Sequence, residues 1–485
     1  MVVTLYTSRV ILQVLGVEDF GIYNVVGGIV AMMGILNSAM SSSIQRYYSF
    51  ELGKGRGNIE QLKKTFSVSM YIYFLLCVIF VAVAETIGLW FLNNKLVIPE
   101  DRIVAANWVF QFSVLSIINQ LLVNPFNATI ISHERMNIYA YVSILEAVLR
   151  LAIVFVIPYI PVDRLALYGF LYFLMSFIIT MIYRFYCLRN FEECKLHYYK
   201  DGKLFKELLS YCGWNIFGSS SALVKSQGLN ILLNMFFNPS VNAARGIAYQ
   251  INAAIQQFSS NFYTAVRPQI TKYYAQGDMD NMLKLVFRSS KWSFYLILFL
   301  SLPIIIETPY IVQLWLGQTP EYVIPFTRLI IAITAVDGMA HPLMTTAHAT
   351  GRIALYQTSI GVATLLNIPI SYIFLLYGAS PLVVFIISLI ICILCLFIRL
   401  WIVYRLIKFP VLRYIKDVFG KVVIITLLAS IVPLSLKQYL PDSVAVAWFV
   451  LFISLLCSAF TIFFFGFEES ERDYVTTTIK KKIRL

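Results

Sequence analysis

The chain has 485 residues, of which 59% are hydrophobic and only 13% are charged, and its mean hydropathy is +0.76. A soluble protein carries about 25% charged residues and about 45–50% apolar ones. The composition therefore excludes an ordinary soluble enzyme, a disordered protein, a collagen and a disulfide scaffold. Because a helix needs about 20 apolar residues to cross the hydrocarbon core, the apolar fraction suits roughly 14 spans. The sequence predicts an all-α polytopic membrane protein.

Apolar runs interrupted by charge clusters predict the spans in chain order. They lie near residues 1–16, 21–45, 65–92, 103–127, 138–160, 165–183, 207–237, 242–266, 292–316, 322–348, 354–377, 381–398, 419–436 and 443–467. The first is short, since 16 residues rise only about 24 Å as a helix. We expect that residues are missing upstream, the alternative being a partial first helix. The start shows no pattern of a cleavable signal peptide.

Basic residues alternate between the two sides of this predicted topology. Of the 38 Lys and Arg residues, 29 lie in connections on one side, starting with Arg46 to Lys64 and including Arg399 to Lys421. The other side holds four, which are Lys95, Arg102, Arg164 and Lys437. The basic side is expected to be cytoplasmic, with both termini there. The net charge of +13 is thus explained by topology, and we expect no nucleic-acid partner.

Two segments of the chain repeat each other at an offset of 226 residues. Tyr23 falls on Tyr249, and Arg46-Tyr47-Tyr48 falls on Lys272-Tyr273-Tyr274. Both copies end a span and enter a basic loop, so the repeat is parallel. We expect two parallel six-helix lobes, residues 1–190 and 191–410, followed by two additional helices and a basic tail in residues 411–485. Transporters built from repeats bind substrate between the repeats near the middle of the membrane.

Four stretches of the sequence carry a family resemblance over essentially the whole chain. They are LGVEDFGIYNVVGGIV, RYYSFELGKG, ARGIAYQINAAIQQFSSNF and RPQITKYYAQGD. The chain resembles the polysaccharide-transporter branch of the multidrug/oligosaccharidyl-lipid/polysaccharide exporter superfamily, the flippases for O-antigen and capsule repeat units. The resemblance implies a class of cargo but not the sugar. First helices in this family normally begin about half a helix further upstream.

A charge within the bilayer is costly, so each one needs a reason. Span 8 carries a polar helical face, and Lys225 lies on a small-residue face of span 7. The face of span 8 consists of Arg245, Tyr249, Asn252, Gln256, Ser259 and Tyr263. Arg9, Lys225 and Arg245 are predicted to form a cationic cavity that binds the diphosphate of a lipid-linked sugar, together with Tyr249, Asn252 and Gln256. The alternative for Arg9 and Arg245 is that both side chains snorkel to the outer interface.

Two further charge pairs are candidates for coupling transport to Na⁺ or H⁺. Glu146 and Arg150 are four residues apart on span 5, where a simple ion pair is the favoured interpretation. Asp337 and His341 lie beside Gly338 and Pro342 on span 10, where a protonatable pair at a kink and a structural Asp–His hydrogen bond are equally favoured. Glu85 and Glu307 are expected at the outer interface.

No motif for catalysis, nucleotide binding or metal binding is evident. There is no Walker A pattern, and the glycine-rich GKGRG stretch lies in a basic connection. Cys392 and Cys395 form a C-x-x-C within an apolar run, for which packing is favoured over metal or redox chemistry. The four histidines make no ligand cluster, and we expect no cofactor.

We therefore predict a non-enzymatic flippase of the bacterial inner membrane. It would move undecaprenyl-diphosphate-linked oligosaccharides for O-antigen, capsule or exopolysaccharide synthesis by alternating access. Expected partners are the lipid-linked oligosaccharide, membrane lipids, and the polymerase and ligase of the same pathway. The alternatives are a cation-coupled multidrug exporter of the same superfamily and a membrane glycosyltransferase or ligase. The short outer connections disfavour the enzymes.

Overall fold

The computed structural model describes residues 10–11, 14–16, 19, 22–23, 26, 34–55, 59–94, 98–199, 201–237, 239–317, 319–441, 443–469, 471–473 and 476–477. Within these ranges the regular structure is helical and no strand occurs. The chain forms two compact units, Met1–Ser219 and Ser220–Leu485, and their boundary falls inside one long helix. The predicted lobe boundaries at residues 190 and 410 stay predictions.

Unit 1 consists of five described helices and the first part of a sixth. They are α1 (Gly34–Gly53), α2 (Ile59–Asn94), α3 (Ile103–Ser132), α4 (Met136–Val156), α5 (Arg164–Asn190) and α6 (Gly202–Phe236). The helices α3 and α5 pack closely because α5 presents Gly169, where an added Cβ would lie 3.3 Å from the Cα of Val109. Apolar side chains of α2 and α3, among them Phe80 and Phe110, form the core beside this contact.

Unit 2 contains the rest of α6 and eight further helices. They are α7 (Pro239–Gln276), α8 (Met279–Ile306), α9 (Thr308–Leu316), α10 (Val323–Ala349), α11 (Ala354–Leu376), α12 (Leu382–Ile407), α13 (Val411–Tyr439) and α14 (Val444–Gly466). Its largest apolar core joins α8 and α10 to α12, α13 and α14. Gly338 lets α10 approach Ile297 of α8, and Gly228 lets α6 approach Ile368 of α11, where an added Cβ would lie 2.6 Å from Ile368 Cδ1.

The predicted all-helical membrane fold is confirmed. Ten of the described helical segments are long and apolar enough to cross a membrane. The helices α1, α6 and α7 occupy the positions of predicted spans 2, 7 and 8. They contain more polar residues than the ten apolar segments do. With 38 residues, α7 is about 57 Å long and exceeds the ~30 Å hydrocarbon core. Arg9, most of predicted span 1 and residues 21, 24–25 and 27–33 of predicted span 2 lie outside the described residues.

Predicted span 9, residues 292–316, is wrong as a single helix. The structure has α8 beginning earlier, at Met279, and a break at Glu307 before α9. Glu307 is fully buried and pairs with Lys437 of α13 at 3.2 Å, and its predicted place at the outer interface stays a prediction. The ion pair stabilises the carboxylate inside the protein.

The end of predicted span 12 at residue 398 is wrong as well. The helix α12 continues to Ile407, so Arg399 lies within it and not in a basic connection. Its side chain is 14% exposed and pairs with a carboxylate of α10. When a partner on a neighbouring helix neutralises a charged residue, that residue can interrupt an apolar run of the sequence without ending the helix.

Arg102, which the sequence predicts in an outer connection, forms two ion pairs. It pairs with Asp163 at 2.6 Å and with Asp19 at 3.3 Å. Asp163 in turn caps the start of α5, because its Oδ1 accepts a hydrogen bond from the amide of Ala166. Arg102 therefore fastens the beginning of α5 to the beginning of α3.

The segment after α14 folds back onto unit 2. Lys291 of α8, which is almost fully buried, pairs with Glu468 at 2.8 Å. Arg288, one turn earlier, pairs with Glu471 at 2.8 Å. Tyr414 at the start of α13 donates a hydrogen bond to the carbonyl of Met339 in α10. These contacts join the two C-terminal helices to α8 and α10.

Candidate functional site

Arg245 of α7 is held by side chains and backbone of α6. Its Nη1 donates to Asn230 Oδ1 at 3.1 Å, and its Nη2 donates to the carbonyl of Ser226 at 2.9 Å. The guanidinium lies over the ring of Tyr249, 4.7 Å from the ring centre, which adds a cation–π contact. Arg245 is partly exposed, so the contacts fix its position without enclosing it.

The predicted polar face of α7 divides into two parts. Tyr249 and Gln256 are exposed. Further along, Ser259 contacts Ser293 of α8 at 3.0 Å and the hydroxyl of Tyr263 lies 2.7 Å from Thr345 of α10. The sequence spacing placed these residues on one face correctly, but the second half of that face is covered by α8 and α10.

Asn252 lies between these two parts of α7. It is 4% exposed, and its Oδ1 has no hydrogen-bond partner among the residues that the structure describes. A buried amide oxygen without a partner is costly, and it is available to a ligand or a water molecule.

Asp337 of α10 and Arg399 of α12 form an ion pair within unit 2. Arg399 Nη1 donates to Asp337 Oδ1 at 3.0 Å, and Arg399 Nε donates to the hydroxyl of Tyr356 at 3.1 Å. Lys225 of α6 lies close enough to Asp337 for a Coulombic interaction. The Asp337 side chain remains 40% exposed, so the pair faces open space on one side.

His341 does not bond to Asp337 in the described structure, so the predicted structural Asp–His hydrogen bond is wrong. Its ring packs against Tyr263, with 4.9 Å between ring centres. The physical reason is that Arg399 provides Asp337 with a charged partner, which binds a carboxylate more strongly than a neutral imidazole does. The helix α10 also continues without a break through Gly338 and Pro342.

Arg399 is the residue of this site that the sequence interpretation missed. A signal was present, because the apolar residues Leu400 to Tyr404 follow it directly and continue the same run. Its partner Asp337 lies 62 residues earlier, and that separation cannot be read from local periodicity.

Unit 1 contains the predicted ion pair of span 5. Arg150 Nη2 lies 2.5 Å from Glu146 Oε1, and both side chains are 37% exposed. The guanidinium of Arg150 also lies 5.8 Å from the ring centre of Tyr172 in α5. Glu146 lines a cavity of about 240 Å³ between α3, α4 and α5. The ion pair is confirmed, and coupling by Glu146 and Arg150 stays a prediction.

Cations outnumber acids among the candidate site residues of unit 2. Lys225, Arg245 and Arg399 are three cations positioned away from the ends of their helices. Asp337 pairs with Arg399 and interacts electrostatically with Lys225. Such an excess of positive charge favours an anionic ligand, and guanidinium groups bind phosphate oxygens with two parallel hydrogen bonds. Arg9 is outside the described residues, so a cavity with all three predicted cations stays a prediction.

No group of three His, Cys, Asp or Glu side chains lies together within the described ranges. Cys392 and Cys395 are both buried, and Cys392 Sγ lies 3.7 Å from the carbonyl of Ile333. These thiols pack within the helix bundle, where α12 meets its neighbours.

Comparison with solved structures identifies the fold. An outward-facing multidrug resistance MATE family transporter of the MOP superfamily superposes with a TM-score of 0.71 at 13% identity, over 84% of this chain and 92% of that one. A MOP superfamily transporter from Pyrococcus furiosus, described as having a binding pocket of reverse polarity, gives 0.63 at 13% identity, over 84% and 95%. The lipid II flippase MurJ in an inward closed conformation gives 0.54 at 15% identity, over 95% and 97%.

A search of curated proteins finds no match to this chain. The sequence model of one family, described as polysaccharide biosynthesis protein, matches residues 1–274. That range is more than half of the 485 residues, and it includes the two segments that repeat each other. The all-helical fold agrees with that of the solved transporters. The chain therefore belongs to the polysaccharide biosynthesis protein family and is a multi-pass membrane protein with the fold of MOP superfamily transporters.

Proposed function

We propose that this protein is a flippase that moves undecaprenyl-diphosphate-linked oligosaccharide repeat units from the inner to the outer leaflet of the bacterial inner membrane. The observation that carries the proposal is the excess of cations on α6, α7 and α12, where Lys225, Arg245 and Arg399 are accompanied by Asp337. In a family named for polysaccharide biosynthesis, an anionic lipid-linked sugar is the ligand that matches this charge.

The physical task of such a protein is to carry a charged head group across the hydrocarbon. A diphosphate without partners in an apolar medium costs far more free energy than thermal motion supplies. Cations that replace its hydration lower this barrier. Arg245 suits the role because its guanidinium is already oriented by Ser226 and Asn230 and still reaches solvent. The lipid tail stays in the bilayer while the protein opens alternately to either side.

This activity breaks no covalent bond, so the proposal needs no catalytic residue or cofactor. Cation coupling through Glu146, Arg150, Asp337 or His341 belongs to the same proposal, with the ion pair Asp337–Arg399 as the group that a change in protonation would alter. The surface polysaccharide that receives the product is O-antigen, capsule or exopolysaccharide, and the polymerase and ligase of that pathway are the expected neighbours.

The rival function is export of small cationic drugs, and the structural similarity to MATE transporters concerns the fold alone. A drug cation favours an acidic site. Around Arg245 the contacts come from amide, hydroxyl and carbonyl groups, and Asp337 is already paired with Arg399. The local charge therefore favours the anionic substrate.

Complementation separates the two functions. The gene is expressed in a strain that lacks its own flippase and makes the lipid-linked glycan, and surface glycan is measured together with resistance to ethidium. Restored glycan with unchanged ethidium resistance supports the flippase. Increased ethidium resistance without surface glycan would replace the proposal with the drug exporter.

A further inference from the structure

A polar cavity lies within unit 1. It has a volume of about 240 Å³, is open on one side and is lined by α3, α4 and α5. Amide, hydroxyl and phenol groups dominate its walls, which include Gln120, Asn127, Tyr172, Ser176, Thr180 and Tyr183. All three helices are apolar enough to cross a membrane, so this concentration of polar groups requires a reason.

The cavity is electrically balanced. Glu146 is its one lining carboxylate, and Arg150 neutralises it at 2.5 Å. No Lys or Arg contributes to the lining of the described cavity. A diphosphate would find no uncompensated cation there, and a cationic drug would have to displace Arg150 from Glu146. The walls therefore favour an uncharged ligand that both donates and accepts hydrogen bonds.

Several wall groups have hydrogen-bonding capacity to spare. Asn127 Oδ1 is buried and has no hydrogen-bond partner among the described residues. The hydroxyls of Ser176 and Thr180 donate to the carbonyls of Ser116 and Ser176. Each hydroxyl oxygen consequently keeps a lone pair that can accept a further bond. Unused acceptors in a low-dielectric site favour a ligand that supplies O–H groups.

The ring of Tyr172 provides a flat apolar surface at the same cavity, and it is oriented from one side by Arg150. A sugar ring presents hydroxyls at its edge and C–H groups on its faces, so it fits a site with amides around an aromatic plane. The volume is below the roughly 300–1,000 Å³ of sites for drug-sized ligands, which limits the occupant to about one ring.

We propose that this cavity of unit 1 binds one neutral sugar unit of the transported glycan. The inference rests on the proposed flippase function and deepens it, since it assigns glycan recognition to residues other than those that bind the phosphates. Asn127, Ser176 and Thr180 supply hydrogen bonds to the sugar hydroxyls, and Tyr172 packs against the ring face.

The test measures binding of free sugars to the full chain in lipid nanodiscs by saturation-transfer-difference NMR. The probes are glucose, galactose, mannose and N-acetylglucosamine, with inorganic pyrophosphate and tetraphenylphosphonium as contrasting charges. We expect at least one neutral sugar to receive saturation. Asn127→Leu and Thr180→Val should each weaken its affinity about five- to tenfold, because each removes a hydrogen bond in a desolvated site.

The matched control is Asn107→Leu, the same substitution on the same helix α3. Asn107 bonds to Asn93 and lies outside the cavity, so this variant should bind sugar like the original protein. Equal sugar affinity in all four proteins, or no saturation of any neutral sugar, would overturn the inference. So would saturation of tetraphenylphosphonium that Asn127→Leu removes, because the cavity would then be a drug site.

The complementation experiment distinguishes a failure of this inference from a failure of the proposed function. If the unaltered protein restores surface glycan and both cavity variants restore it equally, the sugar site is wrong and the flippase stands. If the unaltered protein restores none while neutral sugars still bind and Asn127→Leu weakens that binding, the flippase is wrong and the sugar site stands.

Discussion

Arg399 and Asp337, 62 residues apart in the sequence, form a 3.0 Å ion pair between α12 and α10. Removing either partner leaves a charge in the helix bundle without compensation. We expect Arg399→Ala and Asp337→Ala each to lower stability by about 1–3 kcal/mol, less than for a fully buried pair because Asp337 is partly exposed. The measurement is the melting temperature of the purified protein in detergent.

The double variant Asp337→Ala/Arg399→Ala provides the control. Because it removes both charges together, it should be more stable than the Asp337→Ala single variant, and the two effects should not add. Additive losses in the double variant would show that the two side chains stabilise the bundle independently. A separate export assay of the double variant then reports whether the pair also serves transport.

Arg245 provides the central prediction about mechanism. Arg245→Ala should reduce export at least tenfold at unchanged membrane abundance, and Arg245→Lys should retain part of it, since lysine keeps the charge but loses the bidentate geometry. Lys225→Ala should resemble Arg245→Ala. The measurement is surface glycan in a strain without its own flippase, with protein abundance determined by immunoblot.

Lys203→Ala is the control for this series, because Lys203 is an exposed cation at the beginning of the same helix as Lys225. Arg102, a cation predicted on the outer side, is not used as a control because its ion pairs fasten the beginning of α5. Normal export by both Arg245→Ala and Lys225→Ala would show that these cations do not bind the substrate.

The orientation that the basic connections predict can be measured with alkaline phosphatase fusions. Fusions after Gly317 and Gly378, which end α9 and α11 in left-handed conformations, should be active because those turns are expected outside. Fusions after Lys200 and Lys482 should be inactive. Phosphatase activity at Lys200 would reverse the predicted topology.

Glu193, in the connection between α5 and α6, predicts a dependence of stability on pH. Burial raises the pKa of this carboxyl, but the hydrogen bond with His133 at 2.6 Å and a backbone amide outweigh burial, so its pKa lies below the ordinary value. A lowered pKa means that the stabilisation is present above the ordinary pKa of about 4.3 and is lost as the pH falls through the lowered value.

Glu193→Gln should therefore lower the melting temperature at pH 7 and flatten its decline below about pH 4.5. Glu192→Gln, on the exposed neighbouring residue, is the matched control and should keep the original profile. Parallel profiles for the original protein and Glu193→Gln would contradict the assignment of the stabilising bond to this carboxylate.

The sequence predicted most of the helices because an apolar run of about 20 residues is stable in a bilayer as a membrane-spanning helix. The sequence-based prediction failed where a charged side chain is neutralised by a residue far away in the sequence. Arg399 ended a predicted span because its partner Asp337 lies on another helix. The sequence likewise did not predict the pair between Glu307 and Lys437, which also joins two helices. Similarly, periodicity placed Arg245 and Tyr263 on one face of α7, but it gave no information about which part of that face α10 covers.

The attachment of α13 and α14 to unit 2 has a consequence for engineering the protein. On sequence grounds these helices are an addition to two six-helix lobes, so the sequence predicts that their removal leaves a twelve-helix protein. Truncation before Val411 would instead leave Lys291 and Glu307 as buried charges without partners and would expose the apolar face of α8. A shortened form of this chain must therefore keep both helices together with Glu468.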